Sequence, residues 1–400
     1  MDDAPDSDDG TRGWTADAVA ATGTDASVAV VGGGAVGLTA AHDLAARGAD
    51  VTLYERGDVA AASTGRAAGV LYDAFAEEVD AAVADRALAR FRALSGTGDF
   101  AFEPSPYVWF VTEPGRKAAA VREQVEGMRA NGRDVERLDA AALDAEHPAL
   151  RTDDVVEAAV ARDAGVADTA AYAHAVADLA AAAGVDVRTD AAASVATAPP
   201  RVNGDTYDAV LVAAGAHTKR VLADAGLSVP LKPYRVQALT ATAAGDLPTF
   251  YDATEGYYAR PHPEGVLAGD GTEPVEADPD TYDRGGDDWF VAATADRLAD
   301  RLPGYEPSVH RAWAGLCTAT PDRDPLLGEL ADGVYVAAGW QGHGFMRAPA
   351  TGELAADLLA SDFGADPRDP DLLAAVRDAF APARFDGDEA FEIVEGMAVE

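Results

Sequence analysis

This sequence is poor in lysine and cysteine. Lys117, Lys219 and Lys232 are the three lysines, and 69 acidic against 31 basic residues give a formal net charge of −38. Such a surface repels nucleic acid and anionic lipid head groups, so we expect neither as a partner. The acidic excess is spread along the chain and arginine is preferred to lysine. This predicts adaptation to concentrated salt, where screening relieves the self-repulsion.

The single cysteine, Cys317, excludes an internal disulfide, a CxxC redox pair and a cysteine-based metal cluster. Redox chemistry would therefore need a bound cofactor, and we predict no metal site. The first residues, MDDAPDSDDGTRGW, are acidic where a signal peptide is basic. The apolar stretch 28–46 is interrupted by four glycines, His42 and Asp43, which argues against a membrane span. We therefore predict a cytoplasmic protein.

The pattern of helices and strands changes along the chain and then returns. SVAVVGGG predicts a buried strand entering a tight turn, AVGLTAAHDLAARG a helix and ADVTLYER a second strand, which together make a βαβ unit. Alternating short segments from about 229 to 313 predict an antiparallel sheet, and the α/β pattern returns after it. The predicted fold class is α/β, a Rossmann-type domain with an inserted β-rich (α+β) domain.

A glycine motif stands between the first predicted strand and helix. Gly32, Gly34 and Gly37 form GxGxxG, and Glu55 ends the next strand eighteen residues later. The glycines permit a tight turn, the approach of a pyrophosphate to the helix N-terminus, and close packing of helix on strand. Glu55 can accept hydrogen bonds from both ribose hydroxyls, and its charge would repel the 2′-phosphate of NADP. The motif therefore predicts bound FAD or NAD.

Segments along nearly the whole chain, from Ser27 to about Phe385, resemble the D-amino-acid oxidase family of FAD-dependent oxidoreductases. They are VVGGGAVG with YER, ASTGRAAGV, EHPAL, YDAVLVAAGAHT, PLKPYRVQ, YYARP, WAGLCTATPDRDPLLG and GWQGHGFMRAPATGELAADLL. Within the family, TPDRDPLLG and GHGFMRAPATG are similar to sarcosine oxidase β-subunits and to dehydrogenases of sarcosine, dimethylglycine and proline. The resemblance implies FAD rather than NAD, and a β-rich substrate domain over the flavin ring.

The resemblance and the predicted elements suggest a division into domains. Residues 1–26 are predicted to be an acidic disordered tail. The FAD-binding domain is assigned to 27–75, 150–226 and 310–372, and the substrate domain to 76–149 and 227–309. Residues 373–400 are assigned to a C-terminal extension.

Further cofactor contacts are predicted beyond the glycine motif. Residues 62–70 match the family's flavin-contacting loop, with a polar surface turn as the alternative. GWQGHGF precedes a helix, so its backbone N–H groups can face the negative charge of reduced flavin. The predicted cofactor-binding residues are Gly32, Gly34, Ala35, Val36, Gly37, Glu55, Arg56, Ser63, Thr64, Arg66, Gly69, Val195, Ala214, Gly215, Gly342, His343, Gly344, Phe345 and Met346.

Three side chains are candidates for acting on the substrate. Strand alternation in YYARP puts Tyr258 and Arg260 on one face, where Arg260 can clamp a substrate carboxylate beside the Tyr258 hydroxyl. The alternative for Arg260 is a surface salt bridge. The third candidate is His343, for which the alternative is a turn residue whose ring has no role. Trp313 is expected to pack in the core.

Four positions depart from what the family resemblance leads us to expect. Cys317 stands where glycine and D-amino-acid oxidases carry a carboxylate-binding arginine, and we expect it to line the pocket or be buried. Gly315 stands where monomeric sarcosine oxidase carries the cysteine that holds its flavin covalently, so we expect non-covalent FAD. Met346 and Leu267 replace that oxidase's carboxylate-binding and oxygen-activating lysines. The second replacement favours a dehydrogenase that passes electrons to another protein or a quinone.

The predicted activity is oxidation of a small amine or amino acid of the sarcosine, dimethylglycine, proline or D-amino-acid type. A hydride would pass from the carbon beside the nitrogen to flavin N5, with the protein orienting the donor over the ring. An FAD-dependent 2-hydroxy-acid or glycerol-phosphate dehydrogenase is one alternative, with His343 or His262 as the base. A non-catalytic flavoprotein assembly factor and a plain NAD dehydrogenase are the others.

Overall fold

In a computed structural model of the protein, residues 23–242 and 245–394 are described. The strands, in chain order, are β1 Ser27–Val31, β2 Asp50–Tyr54, β3 Val70–Tyr72, β4 Phe102–Pro104, β5 Tyr107–Val111, β6 Val135–Leu138, β7 Glu157–Ala161, β8 Ala164–Ala167, β9 Asp186–Arg188, β10 Val195–Ala196, β11 Arg201–Val202, β12 Asp205–Thr206, β13 Ala209–Val212, β14 Lys232–Ala241, β15 Thr249–Asp252, β16 Tyr257–His262, β17 Gly265–Glu276, β18 Val309–Ala319, β19 Leu326–Ala331 and β20 Val334–Ala338. The helices are α1 Ala35–Ala46, α2 Glu78–Leu94, α3 Arg116–Ala130, α4 Ala140–Glu146, α5 Thr169–Ala182, α6 Thr218–Asp224, α7 Asp288–Arg301, α8 Gly344–Asp362 and α9 Pro370–Ala379.

A six-stranded sheet carries the glycine motif. Its strand order is β19-β20-β13-β1-β2-β9, and all pairs are parallel except β19 with β20. Its strands are apolar along most of their length because both faces are covered. Val28 and Val30 pack in one core with α1, α5 and α8, while Ala29 and Val31 pack in another with β10, β11 and α6. This is the Rossmann-type arrangement that the sequence predicts.

A second sheet, of eight strands, lies across from the first. Its order is β18-β14-β17-β16-β15-β5-β7-β6, and its pairs are antiparallel except β15 with β5. One face packs against α4 and α7 through Leu143, Phe290 and Leu298. The alternating segments between 229 and 313 supply five of its strands, β14 to β18, as the antiparallel sheet predicted there.

Several elements lie outside the segments predicted for them. Strands β7 and β18, expected in the FAD-binding segments, pair in the eight-stranded sheet. Helix α2, expected in the substrate segments, packs instead on α8 and is linked to α1 by the ion pair between Arg90 and Asp43. Helix α9, most of which falls in the predicted C-terminal extension, packs its Leu373 and Val376 into that same core. These long-range pairings leave no local sign in the sequence, and the domain division stays a proposal.

The predicted N-terminal tail is only partly within the described residues. Residues 1–22 lie outside them, as do 395–400 of the predicted C-terminal extension. Residues 23–26, expected as the end of the tail, are instead packed on the βαβ unit. Thr24 N donates to the carbonyl of Arg47 at 2.9 Å, Asp50 N donates to that of Ala26 at 2.9 Å, and both Thr24 and Ala26 are buried.

A buried ionic cluster joins three helices. Arg90 of α2 donates to Asp43 Oδ2 of α1 at 2.6 Å and to Glu353 Oε2 of α8 at 2.6 Å. Arg86 also binds Glu353, with both pairs of atoms within 2.9 Å. Because Asp43 is fully buried, its charge depends on these partners.

None of the helices in residues 23–242 and 245–394 combines the length and the apolar composition that a membrane-spanning helix needs.

Candidate active site

A cavity of about 470 Å³ opens between the two sheets. One wall consists of the loops that follow β1, β2 and β13 and of the turn that precedes α8. The other wall is formed by β14, β16 and β18 of the eight-stranded sheet. The volume is within the range of pockets that hold cofactors and small substrates, about 300 to 1,000 Å³.

The glycine motif lies at the base of the cavity, and two of its glycines have no room for a side chain. Gly32 has a φ of +121°, and a Cβ on it would lie 2.4 Å from the carbonyl oxygen of Ala213. A Cβ on Gly37 would lie 2.1 Å from the carbonyl oxygen of Gly32. Gly34 precedes the first turn of α1 and lines the cavity. Gly37 does not line the cavity, so its part is the packing of α1 on β1.

Glu55 lies beside the glycine turn at the end of β2. Its Oε2 accepts a hydrogen bond from Gly33 N at 2.7 Å, and its Oε1 accepts one from Gly57 N at 2.9 Å. Both Glu55 and the neighbouring Arg56 line the cavity. The carboxylate is therefore held at the crevice, where the sequence predicts contact with a ribose.

The loop 62–70 is hydrogen-bonded to α1 and to β18 of the eight-stranded sheet. Thr64 Oγ1 accepts from Ala35 N at 3.1 Å, and Ser63 Oγ donates to the carbonyl of Leu316 at 2.7 Å. The Trp313 indole donates to the carbonyl of Arg66 at 3.1 Å. Ser63, Thr64, Arg66 and Gly69 all line the cavity, so this loop is not the ordinary surface turn of the alternative interpretation.

The turn before α8 contributes Gly342, His343, Gly344, Phe345 and Met346 to the cavity wall, as the sequence predicts. The His343 ring packs edge-on against the rings of Tyr72 and Phe75, and its Nε2 lies 3.3 Å from the hydroxyl of Tyr72. Burial, reinforced by the positive charge of Arg347, lowers the pKa of His343 to about 3. The imidazole is therefore neutral at neutral pH and a weak base.

Comparisons with known proteins agree with this geometry. The family model described as "FAD dependent oxidoreductase" (DAO) matches residues 27–358. The chain belongs to this family. The bifunctional protein MnmC of tRNA 5-methylaminomethyl-2-thiouridine biosynthesis from Maricaulis maris is 31% identical over 93% of this chain, which spans 58% of that relative. Glycine oxidase from Geobacillus kaustophilus is 27% identical over 83% of this chain and 92% of its own.

A solved structure extends the likeness. L-proline dehydrogenase from P. horikoshii superposes with a TM-score of 0.77 and 25% identity, over 85% of this chain and 94% of its own. The family match confirms the predicted resemblance, the Rossmann-type fold and FAD as the family's cofactor.

The residues present fit FAD. The turn Gly32–Gly34 carries no side chains, and Gly34, Ala35 and Val36 at the N-terminal end of α1 line the cavity, where the positive end of the helix dipole favours a phosphate. Ala35, Val36, Ala214 and Gly215 line the same region, as predicted. Val195 does not: it is buried against Val202, and Ala192 and Ala193 line the cavity instead. The irregular stretch before β10 gives no periodicity from which to place these residues.

Arg260 is not placed as the sequence predicts. It is 5% exposed and does not line the cavity. Its Nε donates to the carbonyl of Ala68 and its Nη1 to that of Pro261 at 2.7 Å, and burial lowers its pKa to about 10. Both of these donors therefore bond backbone carbonyls, and the side chain is too buried for the surface salt bridge of the alternative interpretation. Alternation assigns a face of the strand but not the depth of a side chain.

Tyr258 does line the cavity, on the face of the sheet predicted for it. Its ring crosses Gly269, where a Cβ would lie 2.2 Å from the hydroxyl oxygen. Burial raises the pKa of Tyr258 above its usual range, so the hydroxyl keeps its proton. Leu267, which pairs with Arg260 in the neighbouring strand, is buried and does not line the cavity.

The sequence analysis missed a set of aromatic residues that line the cavity. The strand register aligns Tyr234 with Cys317, Val236 with Gly315 and Ala238 with Trp313, and all of these line the cavity. Trp313, expected in the core, is thus at the site, and Cys317 lines the pocket as expected. Alternation in YRVQA and WAGLC was the available signal. The other aromatic residues of the wall are Tyr72, Tyr107 and Trp340.

Proposed function

We propose that the protein oxidises a small amine or amino acid, with FAD as the immediate electron acceptor. The observation that carries this proposal is a single cavity in which the dinucleotide cradle and a tyrosine-rich face of the second sheet meet. Bound FAD supplies the redox chemistry by accepting a hydride at N5. Glycine oxidase and L-proline dehydrogenase, two of the similar proteins, are named for substrates of this kind.

The side chains of this wall have a binding and orienting role. Tyr258, Tyr234 and Trp313 present rings on the face that meets the cavity, and Tyr72 closes the side next to His343. Such walls exclude water and hold the donor carbon in place over the flavin ring. The Tyr258 hydroxyl retains its proton, so it can donate a hydrogen bond to a substrate oxygen.

The state of His343 favours an amine over a hydroxy acid. Oxidation of a hydroxyl needs a base beside it, and a histidine with a pKa of about 3 is a poor base at neutral pH. His262, the other candidate, does not line the cavity. An amine that binds in its neutral form needs no strong base. The net charge of −38 also disfavours a nucleic acid as substrate.

A panel of donors tests this proposal. Sarcosine, dimethylglycine, proline, D-amino acids and, for comparison, 2-hydroxy acids and glycerol phosphate are each incubated with the FAD-loaded protein and a redox dye. We expect an amine to reduce the dye and the hydroxy acids to be inactive. Dye reduction by hydroxy acids alone would replace the proposal with the alternative dehydrogenase, and a protein inert to all donors would favour an assembly factor.

We propose further that the electron acceptor is a protein or a quinone rather than oxygen. Among residues 23–242 and 245–394, no lysine lines the cavity that would hold FAD. The family resemblance implies that a lysine activates oxygen in monomeric sarcosine oxidase, and Leu267 stands at that position in this chain. In the same donor assay, oxygen uptake without dye should be slow, and uptake as fast as dye reduction would contradict this point.

We also propose a cytoplasmic location and adaptation to concentrated salt. Unfolding of the protein on dilution into low salt would support the adaptation to salt.

Replacing Tyr258 with phenylalanine should lower kcat/KM for the amine by about tenfold. The change removes the hydroxyl of a side chain that lines the cavity, and a hydrogen bond from it to substrate would be worth roughly 1 to 1.5 kcal/mol. Tyr257→Phe is the matched control, because its hydroxyl donates to the carbonyl of Arg297 at 3.2 Å and its side chain is outside the cavity wall. Equal losses of kcat/KM in both variants would argue against a role for Tyr258 at the substrate.

We expect FAD to be bound without a covalent link, because Gly315 occupies the position that the resemblance associates with attachment. Precipitation with acid should therefore leave all the flavin in the supernatant, measured by absorbance. Cys317 is the one thiol in the chain and it lines the cavity. Flavin that stays with the pellet, and is released in Cys317→Ser, would contradict the prediction.

A further inference from the structure

A group of ion pairs crosses the nucleotide end of the cavity. Asp280 lies in the connection between β17 and α7. Its Oδ1 accepts from Arg56 Nη1 at 2.8 Å and is 3.1 Å from His217 Nε2, while Arg220 Nη1 donates to its Oδ2. All four side chains line the cavity. We call Arg56, His217, Arg220 and Asp280 the latch.

The latch connects the two borders of the nucleotide crevice. Arg56 follows β2, while His217 and Arg220 follow β13. Strands β2 and β13 flank β1 on opposite sides, so the loops after them border the crevice in which a Rossmann-type sheet binds its dinucleotide. Asp280 comes from the other sheet and is bonded to both borders. A dinucleotide lying in the crevice would therefore be enclosed between β1 and Asp280.

The connection that carries Asp280 is held in shape by its own hydrogen bonds. Asp280 N donates to Asp278 Oδ1 at 2.9 Å, and Tyr282 N donates to the carbonyl of Asp278 at 3.1 Å. The carboxylate therefore needs little ordering to reach its partners. The side chains are 39% exposed for Asp280, 46% for Arg56 and 48% for Arg220, so the latch can open towards solvent.

We propose that the latch retains FAD, so that Asp280 sets the rate at which the cofactor leaves the protein. The inference rests on the FAD binding of the proposed function, but not on the identity of the substrate. Asp280 is a positioning residue here, since it acts by joining cationic side chains from the two borders of the crevice. Each exposed pair is weak alone, and one carboxylate shared by three partners ties both borders at once.

The test is the release of FAD from the loaded protein, followed by flavin fluorescence after dilution into excess competing apoprotein. Asp280→Asn should release FAD about three- to tenfold faster, because it removes the charge that three partners share. Glu276→Gln is the matched control: it removes the same charge four residues earlier, at the end of β17, and the partner of Glu276, Lys219 at 2.6 Å, does not line the cavity. Its release rate should equal that of the natural protein.

A second variant keeps the test independent of how Asp280→Asn folds. Arg220→Gln should also speed the release of FAD. In the double variant with Asp280→Asn, the release rate should rise by less than the product of the two single increases, because both changes break the same ion pair. Unchanged release in the single variants would overturn the latch. Slower release would overturn it too, since Asp280 would then compete with FAD phosphates for these cations. A natural protein that binds no FAD contradicts the proposed function instead.

Discussion

Replacing Gly32 with alanine is expected to lower the affinity for FAD at least about 100-fold. The residue has a φ of +121°, and its Cβ would lie 2.4 Å from the oxygen and 2.8 Å from the carbon of the Ala213 carbonyl. Both are backbone atoms, so the loop after β13 must move, and this loop lines the cavity. Strained backbone and a shifted cradle together cost about 3 kcal/mol or more. Titration of the apoprotein with FAD measures the loss.

Gly96→Ala is the control for backbone strain alone. Gly96 has a φ of +93°, but nothing lies within 4 Å of the Cβ position. This variant should lose about 1 kcal/mol of stability and bind FAD as the natural protein does. Tight FAD binding by Gly32→Ala would show that the glycine turn does not cradle the cofactor.

Replacing Arg90 with leucine should lower the free energy of unfolding by about 3 to 5 kcal/mol, measured by urea denaturation in high salt. Arg90 donates to Asp43 at 2.6 Å and to Glu353 at 2.6 Å, and both carboxylates are buried. Without the guanidinium, two acids remain in the core with one neutralising partner fewer, because Arg86 still binds Glu353. Helices α1 and α2 would then lose the ion pair between Asp43 and Arg90 that links them.

Arg92→Leu is the matched control, on the same helix and with one acidic partner. Its guanidinium pairs with Asp163, and the two side chains are 39% and 48% exposed. Its loss should cost at most about 1 kcal/mol. If the two variants were equally stable, the buried cluster would contribute nothing particular to the fold.

The same cluster predicts sensitivity to acid. Burial alone would raise the pKa of Asp43, but the charge of Arg90 and hydrogen bonds from His42 and Arg90 outweigh it and hold the pKa well below its usual range. As the pH falls, the Asp43 carboxylate is therefore protonated in the unfolded chain at a higher pH than in the folded protein. The stabilisation from Asp43 is complete above the unfolded pKa of about 4 and is lost as the pH falls below it.

The sequence predicted the nucleotide crevice because its determinants are local. Gly32, Gly34 and Gly37 lie within six residues, Glu55 follows the next strand, and the apolar run before the glycines is a strand buried on both faces. Each feature is recognisable within thirty residues. Most of the predicted cofactor-binding residues therefore line the cavity, and their contact with FAD stays a prediction.

The remaining features depend on contacts between distant segments. Arg260 is on the predicted strand face, yet its guanidinium is occupied by the carbonyl of Ala68, 192 residues away in the chain. Strand β7 lies in the second sheet because β5 and β6 pair with it. Asp280 pairs with Arg56, which lies 224 residues away in the sequence, and no sequence periodicity predicts such a pair. Local sequence patterns therefore could not predict how deeply Arg260 is buried, to which sheet β7 belongs, or which side chains pair with Asp280.

The most direct test of FAD-dependent amine oxidation is the visible absorption spectrum of the protein purified in high salt. It is recorded without oxygen, before and after addition of sarcosine, dimethylglycine, proline or a D-amino acid. We expect flavin bands in the purified or FAD-loaded protein and their bleaching by an amine. A protein that carries no flavin and cannot be loaded with any would contradict FAD dependence, and flavin bands that no amine bleaches would contradict the proposed substrate class.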